Sequence, residues 1–497
     1  MAPFFLIIPL AAAFIMTLIS RTDERIRDVF AILVAISLPV LSILTLMKVA
    51  IPAGSVLVHR MSGFMPPAGI AFVVDGLSAF MLVTVNSVAL FVIVYSSGYM
   101  KKYTDKWKFY ALFFMMISGI NGVLIASDIF NLYVFMEIAA IAAYFLVAFG
   151  TGAEELEASF KYAIMGTVAS AFILLGIAFL YGYTSTLNMM DMASVISTLP
   201  QVRTIQFISV LFLMGFGLKA ALVPFHAWLA YAHSSAPAPV SAMLSGVLIK
   251  ALGIYAIARI FFSVFGMSAE ICQILIALGV LSMIVGAILA FGQSDIKKIF
   301  AYSTVSQIGY ISLALGVATP LAFVGAIFHL FNHSAVKSLL FLNSGSIEHM
   351  TGTRELSRIS GVVKNAPVTG YTTLLGALSI SGVPPFGGFW SKLIIIFACI
   401  QAGHPFLALI AVLVSVMTLA YYFVSMTGVL FGVKADAAGF VNKIHPAMKA
   451  GVIAMALIVL FAPLALLPDV KKILIDGAVS VLVNGRAYAD MMLGAIK

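Results

Sequence analysis

Residues 218–228 read LKAALVPFHAW and place Lys219 and Pro224 inside a long apolar segment. Residues 381–390 read SGVPPFGGFW and interrupt another apolar segment with Pro384 and Pro385. Proline frees the carbonyl four residues earlier and breaks a helix locally, which lipid tolerates only where protein or water satisfies the freed groups. Either break alone is equally well explained as a packing kink. Paired breaks in the two halves of a membrane protein are typical of a transport site.

The composition of the whole chain indicates a membrane protein. Of its 497 residues 62% are apolar and 9% charged, whereas a soluble domain has about 25% charged residues. The apolar runs are long and continuous, which favours helices over the alternating segments of a transmembrane β-barrel. Cys272 and Cys399 form no CxxC pair, so iron–sulfur, c-type haem and thiolate zinc sites are not expected.

Fourteen hydrophobic segments follow one another, and no linker of domain-boundary length separates them. We therefore expect an all-α polytopic membrane protein of about 14 transmembrane helices, forming a single membrane domain over residues 1–497. The segments lie near 3–20, 28–51, 70–97, 108–126, 128–149, 158–182, 205–229, 239–262, 270–291, 298–316, 320–342, 369–403, 406–431 and 447–467.

The two interrupted segments are the seventh and the twelfth, and a second match has the same offset of five. Ser127-Asp128-Ile129 opens segment five, and Ser294-Asp295-Ile296 precedes segment ten. Because five is odd, the two copies would cross the membrane in opposite directions. We predict two inverted five-helix repeats with broken helices 7 and 12. The predicted organisation is helices 1–3 over 1–107, the repeats over 108–262 and 270–431, and a last helix and tail over 447–497.

The net charge of +9 is explained by basic loops rather than by a nucleic-acid partner. Most lysines and arginines outside the segments fall in one set of loops, among them Arg21, Lys101, Lys297 and Arg354. This bias marks the cytoplasmic side. It predicts a multi-pass protein of a prokaryotic cytoplasmic membrane with both termini outside. Residues 1–20 carry no basic region, so we interpret them as a first helix rather than a cleaved signal peptide.

Several ionisable residues cannot be assigned to loops. Glu137 lies about 14 Å from the start of its segment at 1.5 Å per residue, and Lys219, Lys250 and Lys392 are also deep. A charge at mid-bilayer costs a few kcal/mol or more, so these groups need partners or water. Snorkelling works only near helix ends, and only Lys337, about five residues from its predicted end, could use it. A purely structural Glu–Lys pair is an alternative, but it leaves at least two lysines without a carboxylate.

His329, His333 and Lys337 recur at every fourth residue and share one stripe of segment eleven. Hydrogen-bonded core histidines are one interpretation, and proton transfer is the other. Histidine titrates near neutral pH; burial disfavours the charged form of a lysine, and a nearby carboxylate favours it. Sodium coordination is less well supported, because lysines repel a cation. The predicted water-linked proton path runs through Glu137, Lys219, Lys250, the group of His329, His333 and Lys337, and Lys392.

A specific combination of motifs covers most of residues 70–430. It consists of Asp75–Ser78, Ser127–Glu137, Lys161-Tyr162, Gly217–Ala220, Pro224–Leu229, Asp295–Lys298, Ala301–Thr304, His329–Lys337, Gly382–Pro385 and Gly388–Lys392. The combination resembles the antiporter-like subunits shared by respiratory complex I, Mrp cation/proton antiporters and energy-converting membrane hydrogenases. In style it is most similar to the D-type subunit of Mrp antiporters and to the hydrogenase subunits, and Lys392 argues against the complex I subunit type that has glutamate there. A match to complex I itself stays open.

The resemblance implies fourteen helices, the two inverted repeats, and a hydrated polar axis through the mid-membrane. The residues it implies are the Glu137–Lys219 pair, the central Lys250, the relay of His329, His333 and Lys337, and the terminal Lys392.

The predicted function is that of a proton-translocating subunit of a complex I-like, Mrp-type or membrane-hydrogenase complex, with proton/sodium antiport left open. Its expected partners are other membrane subunits, protons and the lipid bilayer. The chain itself is expected to hold no catalytic residue, metal or cofactor, although the complex could be an ion-translocating oxidoreductase. A stand-alone secondary transporter for a cation or a solute is the alternative. A quinone-binding enzyme subunit is a third class, which no residue supports.

Overall fold

Helices make up most of the computed structural model, which describes residues 1–51, 55–64, 69–103, 105–198, 203–266, 268–433, 439–440 and 442–496. The helices of the first half are α1 (Phe4–Leu18), α2 (Glu24–Ala50), α3 (Gly76–Tyr99), α4 (Lys106–Ile125), α5 (Ile129–Val147), α6 (Ala153–Thr184), α7 (Met189–Thr198), α8 (Arg203–Lys219) and α9 (Ala227–Ser235).

The next span, Ala238–Val264, starts as α10 (Ala238–Met243), includes α11 (Ala256–Ala258) and is otherwise mostly π-helical. The helices after it are α12 (Ala269–Phe291), α13 (Ile296–Val317), α14 (Pro320–Thr351), α15 (Val362–Asn365), α16 (Pro367–Ser381), α17 (Gly387–Gln401), α18 (Pro405–Phe431), α19 (Pro446–Phe461), α20 (Pro468–Leu474) and α21 (Asp476–Ile496).

Ten of the described helical spans are long and apolar enough to cross a membrane. The span Ala238–Val264 and helix α13 lie at the centre of the bundle and are almost entirely buried. Peripheral helices instead expose large apolar side chains such as Phe14, Phe406 and Val424, as expected where the solvent is lipid. The prediction of a helical polytopic membrane protein is confirmed.

Two pairs of helices are separated by the proline-containing stretches. Helix α8 ends at Lys219 and α9 begins at Ala227, with Pro224 between them. Helix α16 ends at Ser381 and α17 begins at Gly387, with Pro384 and Pro385 between them.

The predicted start of the third segment, residue 70, is wrong. Strands β1 (Leu57–Arg60) and β2 (Ala71–Val74) form an antiparallel hairpin, and α3 begins only at Gly76. The carboxylate of Asp75 accepts a hydrogen bond from the Ser78 amide at 2.8 Å and so caps the helix. Hydropathy alone merged the apolar strand with the apolar helix, because it does not register the cap.

The prediction that Lys337 lies near a helix end is also wrong. Helix α14 continues to Thr351 rather than to residue 342, which leaves 14 residues between Lys337 and its end, and the Lys337 side chain is fully buried. The polar residues that appeared to end the segment are satisfied inside the bundle: Asn343 pairs with Thr372, and Ser346 contacts Tyr95. Snorkelling therefore does not explain Lys337.

Candidate functional site

Glu137 and Lys219 form an ion pair between α5 and α8. The Asp128 carboxylate caps α5 by accepting from the Asn131 amide at 2.9 Å, which places Glu137 two turns into the helix. Lys219 is the last residue of α8, at the break, and its Nζ lies 3.2 Å from Glu137 Oε1. Ser170 of α6 donates a hydrogen bond to the same carboxylate oxygen. The side chain of Lys219 is 5% exposed and that of Glu137 is 23% exposed, so Glu137 borders the surface of the chain.

Lys250 lies in the π-helical part of the central span and is fully buried. Its Nζ donates to the main-chain oxygen of Ser245, one π-turn earlier. The Ser245 hydroxyl lies 2.7 Å from that of Thr304 on α13. Within the described residues Lys250 has no ion-pair partner. Single π-turns are common at functional sites, and here they bring a lysine ammonium onto a neutral acceptor.

His329, His333 and Lys337 line one face of α14, and all three are buried. His329 Nδ1 is hydrogen bonded to Ser391 Oγ of α17 at 2.9 Å, and the two imidazole rings stack with centroids 6.0 Å apart. Lys337 Nζ donates to the Phe300 carbonyl at 2.9 Å and to Tyr422 Oη at 3.2 Å. Among the described residues no hydrogen-bond partner reaches either ring nitrogen of His333.

Lys392 belongs to α17 and reaches back across the break to α16. Its Nζ donates to the carbonyls of Ile380 at 2.8 Å and Ser381 at 3.4 Å. It also lies 5.1 Å from the centroid of the Tyr310 ring, a ring that itself packs against His329. The last carbonyls of a helix have no intrahelical partner, so the break supplies acceptors for a buried ammonium group.

The predicted residues thus fall into separate contacting groups. One is Glu137 with Lys219, and another joins His333, His329 and Lys392 through ring contacts and Ser391. In the part of the chain that the structure describes, no hydrogen bond or ion pair connects Lys250 to either group. Nor does any group of three or more His, Cys, Asp or Glu side chains there form a metal site.

A buried ion pair that the sequence analysis missed joins Asp75 to Arg259. Arg259 Nη1 and Nη2 lie 2.6 and 2.9 Å from the two carboxylate oxygens, and both side chains are less than 5% exposed. Arg259 Nη2 also donates to Tyr255 Oη and Ser78 Oγ. Burial raises the pKa of Asp75, but Arg259 outweighs it and holds that pKa below its ordinary value. An arginine near the end of the apolar segment 239–262 was the available signal in the sequence.

Two further titratable residues, one buried and one half-buried, lie outside the predicted set. His233 of α9 is fully buried and stacks on Phe341 with ring centroids 4.6 Å apart. Glu348 of α14 pairs with Lys297 of α13, with 2.9 Å between Nζ and Oε2. Neither stood out in the sequence, because Glu348 lies beyond the predicted end of its segment and His233 beyond the predicted end of segment seven.

Protein-family models match two parts of the chain. The model described as "NADH:quinone oxidoreductase/Mrp antiporter, TM" matches residues 126–418, more than half of the chain. The model described as "NADH-Ubiquinone oxidoreductase (complex I), chain 5 N-terminus" matches residues 66–110.

Individual relatives belong to the same group. The chain is 38% identical over 370 residues to the N-type subunit of the NADH-quinone oxidoreductase of Desulforudis audaxviator, covering 73% of this chain and 74% of that one. It is 34% identical over 363 residues to the D-type subunit of the Na(+)/H(+) antiporter of Alkalihalophilus pseudofirmus, covering 73% of each.

Two solved structures of membrane complexes each contain a similar chain. A chain of the Mrp complex from Dietzia sp. superimposes with a TM-score of 0.90 at 28% identity, over 99% of both chains. A chain of the membrane-bound sulfane sulfur reductase, an archaeal respiratory membrane complex, gives 0.89 at 28% identity, over 98% of this chain and 99% of that one.

Proposed function

The chain belongs to the NADH:quinone oxidoreductase/Mrp antiporter family, and from that premise we propose that it translocates protons as one subunit of a larger membrane complex. Antiport of sodium against protons is the variant suggested by the names of its Na(+)/H(+) antiporter relatives. The proton carriers in this proposal are the buried lysines and histidines of the bundle interior together with Glu137, which borders the surface of the chain.

One observation carries the proposal: three buried lysines are held by neutral groups. In the described residues Lys250, Lys337 and Lys392 form no ion pair, and their ammonium groups donate to carbonyls and hydroxyls. A buried charge without a counter-charge is costly, and this cost favours loss of the proton to give the neutral amine. A group that can exist in both protonation states can pass a proton on, whereas a lysine paired with a carboxylate, such as Lys219 with Glu137, can do so only when the pair separates.

The contacts between α14 and α17 suggest the order in which a proton passes from His333 to His329 and then to Lys392. His333 stacks on His329, His329 is hydrogen bonded to Ser391, and Ser391 precedes Lys392 in α17. Buried polar atoms in native proteins are satisfied by protein or by ordered water, and the ring nitrogens of His333 have no protein partner among the described residues. We propose that water connects Lys250 to His333 and, on the other side, to the Glu137–Lys219 pair.

The position of Glu137 supports a partner subunit. Its side chain is 23% exposed on α5, a helix whose other exposed residues include Ile141 and Phe145. A carboxylate at the lipid surface of a membrane helix is unfavourable, so we propose that another membrane subunit covers this face. The complexes that contain the similar chains agree with such an assembly.

We also propose that each break belongs to one of two inverted five-helix repeats, over 108–262 and 270–431, in a single membrane domain. In both breaks a side chain donates to a carbonyl near the end of the first half-helix: Trp228 Nε1 to Leu218 at 3.2 Å, and Lys392 Nζ to Ile380 at 2.8 Å. The repeats would bring the site residues to one depth. With the basic loops in the cytoplasm, both termini lie outside the cell.

Proton flux through the intact complex in inverted membrane vesicles tests the proposal. Lys250→Met should abolish flux while the complex assembles normally, because the side chain keeps its length and loses its titratable group. Lys161→Met is the matched control, since Lys161 is exposed and pairs with Glu157 on the surface of α6. Normal flux in an assembled Lys250→Met complex would overturn the proposal. Flux by the purified chain alone would instead favour a stand-alone transporter.

A further inference from the structure

An apolar cleft separates α8 from α12 near the N-terminal ends of both helices. Helix α8 packs on α6, while α12 packs on α13. The cleft between them encloses about 150 Å³, and its walls include Leu213, Val210 and Ile274. Val210 is 45% and Ile274 is 37% exposed, so the cleft is open to the outside of the bundle along α8 and α12.

Hydrocarbon is the occupant that this position favours. The cleft opens between the exposed apolar faces of α8 and α12, which are the faces that lipid would contact in a membrane, and most of its wall area is apolar. Gln206, Ser209 and Ser268 also line the cleft, but its apolar walls offer water no hydrogen bonds, whereas an acyl chain makes dispersion contacts with them. The occupant must also enter from the bilayer, because the cleft opens on that side.

Charged side chains mark the end of the cleft where the helices begin. Arg486 of α21 lines it, and its Nη2 donates to the Phe265 carbonyl. The guanidinium lies directly on Gly266, where a Cβ atom would come within 2.5 Å of Nε. A guanidinium has five N–H donors in a planar fork, so it can hold a phosphate alongside its protein partners. Glu270, exposed in the first turn of α12, lines the same cleft.

We propose that this cleft binds one phospholipid, with an acyl chain between α8 and α12 and its phosphate on Arg486. The carboxylate of Glu270, which lines the same cleft, selects a headgroup that carries an ammonium group as well as a phosphate. The ligand class is therefore an aminophospholipid of the phosphatidylethanolamine type. The lipid wedges between the helices of the segments 108–262 and 270–431. This assignment does not depend on proton translocation.

Native mass spectrometry of the full chain, extracted with its partner subunits and delipidated, tests the assignment. Titration with phosphatidylethanolamine, phosphatidylglycerol and phosphatidylcholine should show one tight site that prefers phosphatidylethanolamine. Arg486→Gln should weaken that site by about tenfold, the loss expected for one charge-assisted phosphate contact of about 1.4 kcal/mol. Glu270→Gln should retain the lipid and remove the preference over phosphatidylglycerol. The matched control is Arg60→Gln, a basic residue of the hairpin.

A second variant keeps the test valid if Arg486→Gln disturbs α21. Val210→Trp fills the cleft without touching Arg486 and should abolish binding, whereas Ile288→Trp, on the exposed face of α12 away from the cleft, should not. Unchanged lipid binding in Val210→Trp would overturn the assignment. So would binding of inorganic phosphate as tight as that of the lipid, or a partner helix seated in the cleft in a structure of the complex.

Discussion

Lys392 Nζ donates to the main-chain oxygen of Ile380 at 2.8 Å, across the break between α16 and α17. This contact explains why a broken helix and a deep lysine occur together. The break releases carbonyls at the end of α16, and those carbonyls hold the ammonium without adding a negative charge. When the lysine loses its proton, no buried carboxylate is left unpaired. An ion pair with a carboxylate would instead fix the charged form.

Lys392→Met is the first test of that relationship. The variant keeps the length of the side chain and removes the proton carrier, so proton flux through the assembled complex should fall by about 100-fold or more, as for loss of a general acid–base group. Flux measured with a pH-sensitive dye in inverted vesicles checks it. Lys364→Met, at an exposed lysine of the short helix α15, should leave flux unchanged. Wild-type flux in Lys392→Met would show that the contact with Ile380 is only structural.

The charged site residues could be predicted from the sequence, because each interrupts an apolar run. Their partners could not, because they are mostly carbonyls and hydroxyls: Lys250 on Ser245, and Lys337 on Phe300 and Tyr422. Main-chain acceptors leave no trace in residue type, and the geometry that exposes them depends on π-turns and breaks.

Arg259 shows a second limit of the sequence. Its partner Asp75 is 184 residues away, so no local pattern connects them. Strand β2 before Asp75 could not be predicted for a related reason. Its four apolar residues adjoin an apolar helix, and together they have the hydropathy of one longer helix. Both features depend on tertiary contacts rather than on local sequence pattern.

Glu137→Gln tests the first ion pair. Glutamine can still accept from Ser170 and Lys219, but it carries no charge, so packing should persist and proton flux should be lost. Flux and complex assembly, measured on the same vesicles, separate the two effects. Glu157→Gln is the matched control, because Glu157 is an exposed carboxylate that also pairs with a lysine. An assembled Glu137→Gln complex with undiminished flux would contradict a proton role for the pair.

His333→Phe tests the relay on α14. The ring keeps its stacking with His329 but loses both nitrogens, so flux should fall by about tenfold or more while thermal stability changes little. Stability should hold because those nitrogens have no protein hydrogen bond among the described residues. Phe331→Leu is the control, because Phe331 is a half-buried residue of the same helix. Asn332 is not used as a control because its side chain contacts Ser379. A drop in stability without a drop in flux would support the core-histidine interpretation instead.

Asp75→Asn should destabilise the fold through the buried pair with Arg259. Removing one partner of such a pair costs about 3–5 kcal/mol, because it leaves an uncompensated charge.

The pKa of Asp75 is lowered in the fold, so the stabilisation by the Asp75–Arg259 pair is fully present above the unfolded pKa, about 3.9. It is lost as pH falls through the lower folded value. Thermal unfolding of the detergent-solubilised chain should therefore lose stability below about pH 4 in the wild type and show a weaker acid dependence in Asp75→Asn. Asp105→Asn, at an exposed pair with Lys108, should change the Tm little. Equal acid sensitivity in wild type and Asp75→Asn would mean that the Asp75–Arg259 pair does not stabilise the contact between the β1–β2 hairpin and the span Ala238–Val264.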